Sequence, residues 1–536
     1  MTETHNRAVP AGAAASAAQT SAIALDFPSH LPAANRTRRL WRFALAQVLQ
    51  HPGMAFAAAA IVAWLCLSLL THDALMGDNI EQSIWAHSFE WGYYKHPPLP
   101  TWFLIAATRL LGPLWWLTDA LAALFLLGTA LATYALARRL TSARVAQLAI
   151  VLWGLHLTLT WRVILYNHNT VLLFLCALLA WAVVAATQDR SLRHWLAAGV
   201  FAGLAMLAKY QAGVLILVLI VALAHMGYLS DRFHRKGLLA AAVLAALVFS
   251  PHLIWLFNHQ FLPLQYASTQ LPKKFAPMAQ LPVLGFSVQQ VRLLWPGLAA
   301  VLLSVIFIPR PVRQGAMVRA HRRTCRPTRA WIRYLALAPL AFVLIVGLSG
   351  THLQNHWGLE TLQFMCLALA IVIGRRSSVT PRQLMFIAGA LHLLLMTTVL
   401  HNAYQVHEHG WQGQGDKHYP AQALTQRAVA DWQRVTACPL PYVVGPPFEA
   451  GTIAVFSGQN PQVFESANTL ASPWIDPVDV QRRGAIYVGH SAEELPRGAD
   501  VTGSMQVTTA LDSAYAPVIY WAVVAPVQAC PVPPQD

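Results

Sequence analysis

Residues 54–70 read MAFAAAAIVAWLCLSLL, and residues 72–102 read HDALMGDNIEQSIWAHSFEWGYYKHPPLPTW. The first stretch carries no charge and is close to the roughly 20 apolar residues that a helix needs to cross a bilayer. The second is dense in acids, histidines and aromatic rings, far too polar for a simple connector. A membrane helix that delivers the chain into such a loop decides the fold class. Composition agrees: of 536 residues, 56% are hydrophobic and 11% charged, where a soluble domain carries about 25% charged residues. That balance excludes an ordinary soluble enzyme, a disordered chain and a nucleic-acid binder with a solvated basic face.

Outward from this stretch, apolar runs recur at 114–137, 145–161, 170–187, 195–208 and 212–229. Five more follow at 237–257, 287–308, 334–349, 358–374 and 383–400. With 54–70 they predict a polytopic α-helical membrane protein of about 11 transmembrane helices. Residues 1–45 are Ala/Ser/Thr-rich and basic near 36–42, and read as a disordered cytoplasmic tail. A cleaved signal peptide fits poorly, because the basic flank lies deep in the chain and the apolar run leads into acidic, aromatic sequence.

The net charge of +15 (37 Lys+Arg against 22 Asp+Glu) has a topological cause. Arg138, Arg139 and Arg144 follow the second run, Arg190 and Arg193 the fourth, and Arg232, Arg235 and Lys236 the sixth. The segment 310–333 holds eight arginines and no acid, and Arg375, Arg376 and Arg382 follow the tenth run. Eleven crossings put all of these on one side, the positive-inside pattern. The expectation is a multi-pass protein of the bacterial inner membrane with a cytoplasmic N-terminus and a periplasmic C-terminus.

Residues 46–400 therefore read as the transmembrane domain, with 72–113 its first outer loop. Residues 401–536 contain no spanning run. Apolar β-type segments at 441–445, 485–489 and 518–524 alternate with helical stretches at 420–436 and 447–457, the rhythm of a small α/β periplasmic domain. Cys438 and Cys530 are its two cysteines, each beside a proline, and an oxidising compartment would let them pair.

The outer loop holds the chemistry. Gly77-Asp78 looks like a helix start with Asp78 near the N-cap. Glu81, three residues on, shares its face, and Trp85 continues the stripe. Such spacing suits a helix cap as well as a reactive pair. In WGYYKHPPLPTW, Lys95 and His96 set donors beside the carboxylates. This suits a displacement in which a carboxylate takes a proton from a hydroxyl while cations hold a departing phosphate. An aromatic anchor with a snorkelling lysine is the plainer alternative.

Asp78-Asn79 followed by Gly92, Tyr93, His96, Pro97 and Pro98 resembles the Asp-Glu…G-Y-x-x-H-P-P pattern of GT-C superfamily glycosyltransferases that use polyprenyl-phosphate sugars. The family 39/83 type includes protein O-mannosyltransferases, the lipid A aminoarabinose transferase and rhizobial lipopolysaccharide galacturonosyltransferases. The second acid is missing at Asn79, and Glu81 is the candidate to replace it. RVILYNHNTVLLFLCALLAW (162–181) resembles the family's second outer loop, with Asn169 where an Asp is usual. LAKYQAGVLI (207–216) resembles its Lys-Tyr turn, and PHLIWLFNHQF (251–261) its Pro-x-x-x-W-x-x-x-N segment. EAGTIAVFSGQNPQVF (449–464) is similar to the soluble domain that many members carry.

The resemblance implies transfer of a sugar from a polyprenyl-phosphate donor by inverting displacement. Asp78 and Glu81 are the implied catalytic carboxylates, Asp78 the base. Lys95, His96, Tyr93, Arg162, Asn169, Lys209 and Tyr210 are the implied substrate-binding residues. His168, Lys273, Lys274, His352, His356 and Glu360 are further outward polar residues that could line the cavity. The acceptor stays open among lipid A or other lipopolysaccharide, another envelope glycan and a protein hydroxyl. No cofactor is expected: the acids and the histidines His72, His87 and His96 show no tight ligand spacing, so a divalent cation is not favoured. A polytopic transporter or flippase of a lipid-linked or anionic substrate is the competing reading. It fits less well, since no internal repeat is visible and the polar cluster lies in a loop rather than mid-helix.

Overall fold

Every one of the eleven apolar runs meets a helix in the computed structural model. It describes residues 50–160, 162–269, 280–309, 326–349, 351, 353–354, 357–409, 415–507 and 518–527. The tail 1–45 and most of the arginine-rich segment 310–333 lie outside the described residues, as do Lys273, Lys274, His352, His356 and Cys530. Among the described residues, seven helices are long and apolar enough to span a membrane. They lie in α1 (Pro52–Thr71), α4 (Leu117–Leu140), α6 (His168–Asp189), α9 (Arg232–Asn258), α11 (Gln280–Phe307), α12 (Arg326–Leu348) and α15 (Pro381–His409). At 1.5 Å per residue, the 20 residues of α1 make about 30 Å, one hydrocarbon thickness.

Four of the runs form shorter helices: α5 (Ala143–Gly154), α7 (Leu192–Ala208), α8 (Ala212–His225) and α14 (Met365–Arg376). The expected crossing at 145–161 thus ends early, at Gly154, and that at 358–374 begins late, at Met365. Each meets a polar break, the turns around His156 and the one-turn helix α13 (Trp357–Leu362). The 72–113 segment contributes α2 (Gly77–Trp85) and α3 (Leu99–Leu111), and α10 (Leu262–Thr269) follows α9. The protein is a polytopic helical membrane protein with a small C-terminal mixed-sheet domain.

Small residues let the helices close on one another. Gly199 and Gly203, one turn apart on α7, face α9: a Cβ on Gly199 would stand 2.5 Å from the Ala241 carbonyl oxygen. Close backbone approach of this kind is how membrane helices gain packing energy without a hydrophobic drive between them. Ion pairs join the helix ends. Arg139 on α4 reaches Asp189 on α6 at 2.8 Å, and Arg190 pairs with Asp231, which also caps α9 by accepting from Phe233 N.

The C-terminal domain pairs α16 (Ala421–Val435), α17 (Pro447–Phe456) and α18 (Pro477–Arg483) with five strands. These are β1 (Tyr442–Gly445), β2 (Gln462–Glu465), β3 (Ala485–Gly489), β4 (Val501–Gln506) and β5 (Val518–Val524), in the order β2-β1-β3-β5-β4. β1 runs parallel to β2 and β3, while β5 is antiparallel to β3 and β4. Cys438 is disulfide-bonded. The apolar core of this domain does not stop at its own sequence. Leu75, Ile80, Ile84, Trp85 and Tyr93 of the 72–113 segment share one cluster with Leu424, Trp432, Ile453 and Val463.

Candidate active site

The sharing of that core fixes α2. A Cβ on Gly451 of α17 would lie 2.3 Å from Ile80 Cγ2, so α17 seats directly on the buried face of α2. The helix start is also held from the C-terminal side, since Gly77 N donates to Asp416 Oδ2 at 2.8 Å. Met76 is the N-cap residue and Asp78 lies inside the first turn. The cap expected of Asp78 therefore comes from Asp416, which leaves the Asp78 carboxylate exposed. Its neighbour Asn79 is fully buried. The Asn79 amide donates to Asp119 Oδ1 (2.8 Å), Thr118 Oγ1 (3.1 Å) and the Ile164 carbonyl (2.8 Å), and its oxygen accepts from Tyr166 N (2.9 Å). Asn79 is a strut between α2, α4 and the 155–167 turn.

Glu81 looks the same way as Asp78 and pairs with Lys95. Burial lifts the Glu81 carboxyl to about 7 against the pull of Lys95. Lys95 loses from burial too, but Glu81 outweighs that loss and holds its ammonium above the usual lysine range. The ammonium also stands 5.5 Å above the Tyr266 ring. The segment that carries Lys95 and His96 turns on a Tyr93 N to His96 carbonyl bond of 3.1 Å. Gly92 is required there, because any Cβ would run into the Trp255 ring at 2.4 Å. Tyr93 lies behind the wall: its ring stacks on Trp85 at 5.2 Å and its hydroxyl donates to the Ser88 carbonyl. Trp85 in turn donates its indole N–H to Glu465 of β2 at 3.0 Å.

The opposite rim is built by the turn before α6 and the break between α7 and α8. Asn167 caps α6, its oxygen accepting from Asn169 N (2.9 Å) and Thr170 N (3.1 Å). That fixes its amide nitrogen outward, where it donates to Asp78 Oδ2 at 2.7 Å. Lys209 donates to Asn169 Oδ1. His252 Nδ1 meets the Trp91 carbonyl at 2.6 Å, so that nitrogen donates. Its Nε2 then accepts from the Tyr210 hydroxyl at 2.8 Å. Arg162 is drawn toward Asp78 and Asp416 while burial lowers its pKa.

Together these residues enclose a cavity of about 620 Å³. Carboxylates (Asp78, Glu81) and cations (Lys95, Arg162, Lys209) share it, and Val214, Phe342, Val343 and Val346 of the membrane helices give it an apolar side. Such a chamber can seat an anionic headgroup with an apolar tail and present a carboxylate to it. Among the described residues, no three His, Cys, Asp or Glu side chains gather as a metal site.

Residues 95–255 match the family described as dolichyl-phosphate-mannose-protein mannosyltransferase. In structure, the chain is similar to ArnT from Cupriavidus metallidurans bound to undecaprenyl phosphate. The TM-score is 0.57 at 14% identity, over 89% of this chain and 99% of that one. The apo state of ArnT gives 0.56 at 15% identity, over 89% and 98%. The chain has the fold of these ArnT structures. Within sequence comparisons, 188 residues are 29% identical to the lipid A galacturonosyltransferase RgtD of Rhizobium johnstonii. That alignment covers 34% of this chain and 38% of the relative's length.

On this fold, eight of the nine residues singled out from sequence line one cavity: Asp78, Glu81, Lys95, His96, Arg162, Asn169, Lys209 and Tyr210. Tyr93 is the exception, a buried support. The family match begins at Lys95, so the two carboxylates lie outside the matched segment. Sequence reasoning missed Asn167, Tyr266 and the struts Asn79, Asp416 and His252. Asn167 carries a readable signal, an Asn at a helix start, but nothing in the sequence aims its amide at Asp78.

Proposed function

We propose that the protein is a membrane glycosyltransferase that moves a sugar from a polyprenyl-phosphate donor to a hydroxyl acceptor. The observation that carries this reading is the meeting of Asp78 and Glu81 with Lys95, Arg162 and Lys209 in one cavity with an apolar side. The acceptor O–H gives its proton to Asp78 as its oxygen attacks the anomeric carbon. The bond from that carbon to the phosphate oxygen breaks, with inversion, and polyprenyl phosphate departs. Its low basicity removes the need for a strong general acid. Lys209, Lys95, Arg162 and His96 hold the phosphate charge, and the Asn167 amide turns the Asp78 carboxylate toward the attacking hydroxyl. Glu81 keeps Lys95 placed and supplies the second carboxylate that Asn79 does not.

Orientation belongs to the same reading. The arginine clusters put the N-terminus in the cytoplasm and residues 401–536 in the periplasm of a bacterial inner membrane, with 46–400 as the transmembrane domain. The acceptor is then an envelope glycolipid, another glycan or a protein on the outer side. Purified protein, radiolabelled undecaprenyl-phosphate sugars and candidate acceptors test the reading. Wild type transfers label and Asp78→Asn loses at least about 100-fold, the scale of a general base. Substrate counterflow without a covalent product points instead to transport.

A further inference from the structure

His168 is the first residue of α6 and 4% exposed, yet it lines the cavity. Its Nε2 is buried with no hydrogen-bond partner. The ring cannot swing away from this arrangement. His96 packs on one side at 3.9 Å between ring centroids, and Trp85 stands at 6.0 Å. Nε2 is thus held in the cavity wall without a partner, and a hydroxyl, which both donates and accepts, can supply one whichever ring nitrogen carries the proton.

Position says which donor. The residue before His168 holds Asp78 through the Asn167 amide, and the residue after it, Asn169, accepts from Lys209. On the function proposed above, on which this inference rests, Asp78 marks the anomeric side and Lys209 the phosphate side of the donor. The group between them is the sugar. We infer that His168 Nε2 makes a hydrogen bond with a hydroxyl of the donor's sugar, making His168 a sugar-reading residue rather than part of the phosphate site. A buried ring nitrogen left unpaired by the wrong sugar is costly, which is how such a contact discriminates.

The test uses the full chain in lipid nanodiscs and needs no acceptor. The probes are undecaprenyl phosphate and undecaprenyl-phosphate-linked hexose, pentose and hexuronate, each titrated for binding. Wild type should bind at least one glycosylated lipid roughly tenfold more tightly than the bare lipid, the value of one well-made hydrogen bond. Removing its hydroxyls one at a time should find a single deoxy analogue that loses that margin, a readout that needs no variant. His168→Phe should abolish the margin and bind the bare lipid as wild type does. His168→Gln, which can offer an oxygen at a similar reach, should keep part of it. Three results overturn the inference: a margin that survives in His168→Phe, no deoxy analogue that loses it, or equal weakening of bare and glycosylated lipid in His168→Phe. Failure of wild type to bind undecaprenyl phosphate at all would instead sink the underlying function.

Discussion

The two rims of the cavity are built in different ways. The Asp78–Lys95 rim is held from far away: Asp416 caps α2, Gly451 seats against Ile80, and Trp85 donates to Glu465. The Arg162–Asn169 rim is held by its neighbours, with Asn167 capping its own helix and Asn169 receiving Lys209. The carboxylates thus depend on the C-terminal domain, whereas Lys209 and the opposing amides sit on the turn before α6 and the break between α7 and α8. A domain that looks like an appendage in the sequence is the mounting of one half of the site.

The contrast can be broken at either rim. Lys209→Met removes the cation proposed to hold the phosphate and should lower transfer by about 100-fold, as loss of a charge-stabilising donor does. Its unfolding should stay close to wild type, and a comparable loss of stability would make Lys209 structural. Gly451→Leu attacks the other rim from outside the cavity. Overpacking against Ile80 and Ile84 should cost about 1–3 kcal/mol and cut transfer roughly tenfold, with binding of undecaprenyl phosphate retained. Unchanged transfer in Gly451→Leu would show that the C-terminal domain does not position α2.

Two smaller changes sharpen the comparison. Asn167→Ala removes both the α6 cap and the donor to Asp78, and should lower stability by about 1 kcal/mol. Transfer should fall severalfold, and Asn167→Asp should restore the cap without restoring transfer, since a second carboxylate repels Asp78. The smallest effect is a pH dependence. Folding raises the Glu81 carboxyl from 4.5 to about 7. The native state therefore holds more protons than the unfolded chain between those values, and stability falls as pH rises through that window. In Glu81→Gln the unfolding midpoint, scanned at one heating rate, should decline less between pH 4.5 and 7, by about 2–4 °C. An identical slope in both proteins would contradict the burial of Glu81.

How much of this was legible follows from what each feature depends on. The helices were readable because hydropathy is local, and each apolar run found its helix. Length was less so, since α5 stops early at Gly154 and α14 starts late at Met365. In the C-terminal domain, β1, β3 and β5 showed as apolar runs. β2 (QVFE) holds just two apolar residues between polar ends, and β4 (VTGSMQ) is too polar to announce itself. Asp78, Glu81 and Lys95 stood out because charge is rare in such a chain. The Asp416–Gly77 bond spans 339 residues of sequence, and no local pattern encodes it. His252 and Asn79 read as ordinary helix residues, and only packing reveals what they hold.

The central claim is that Asp78 acts on a bound lipid-linked sugar rather than helping to bind it. The most direct measurement pairs two readouts on Asp78→Asn in nanodiscs: binding of undecaprenyl phosphate and transfer from an undecaprenyl-phosphate sugar that wild type uses. The account predicts binding within about twofold of wild type, with transfer down at least about 100-fold. Transfer at the wild-type rate in Asp78→Asn would contradict it.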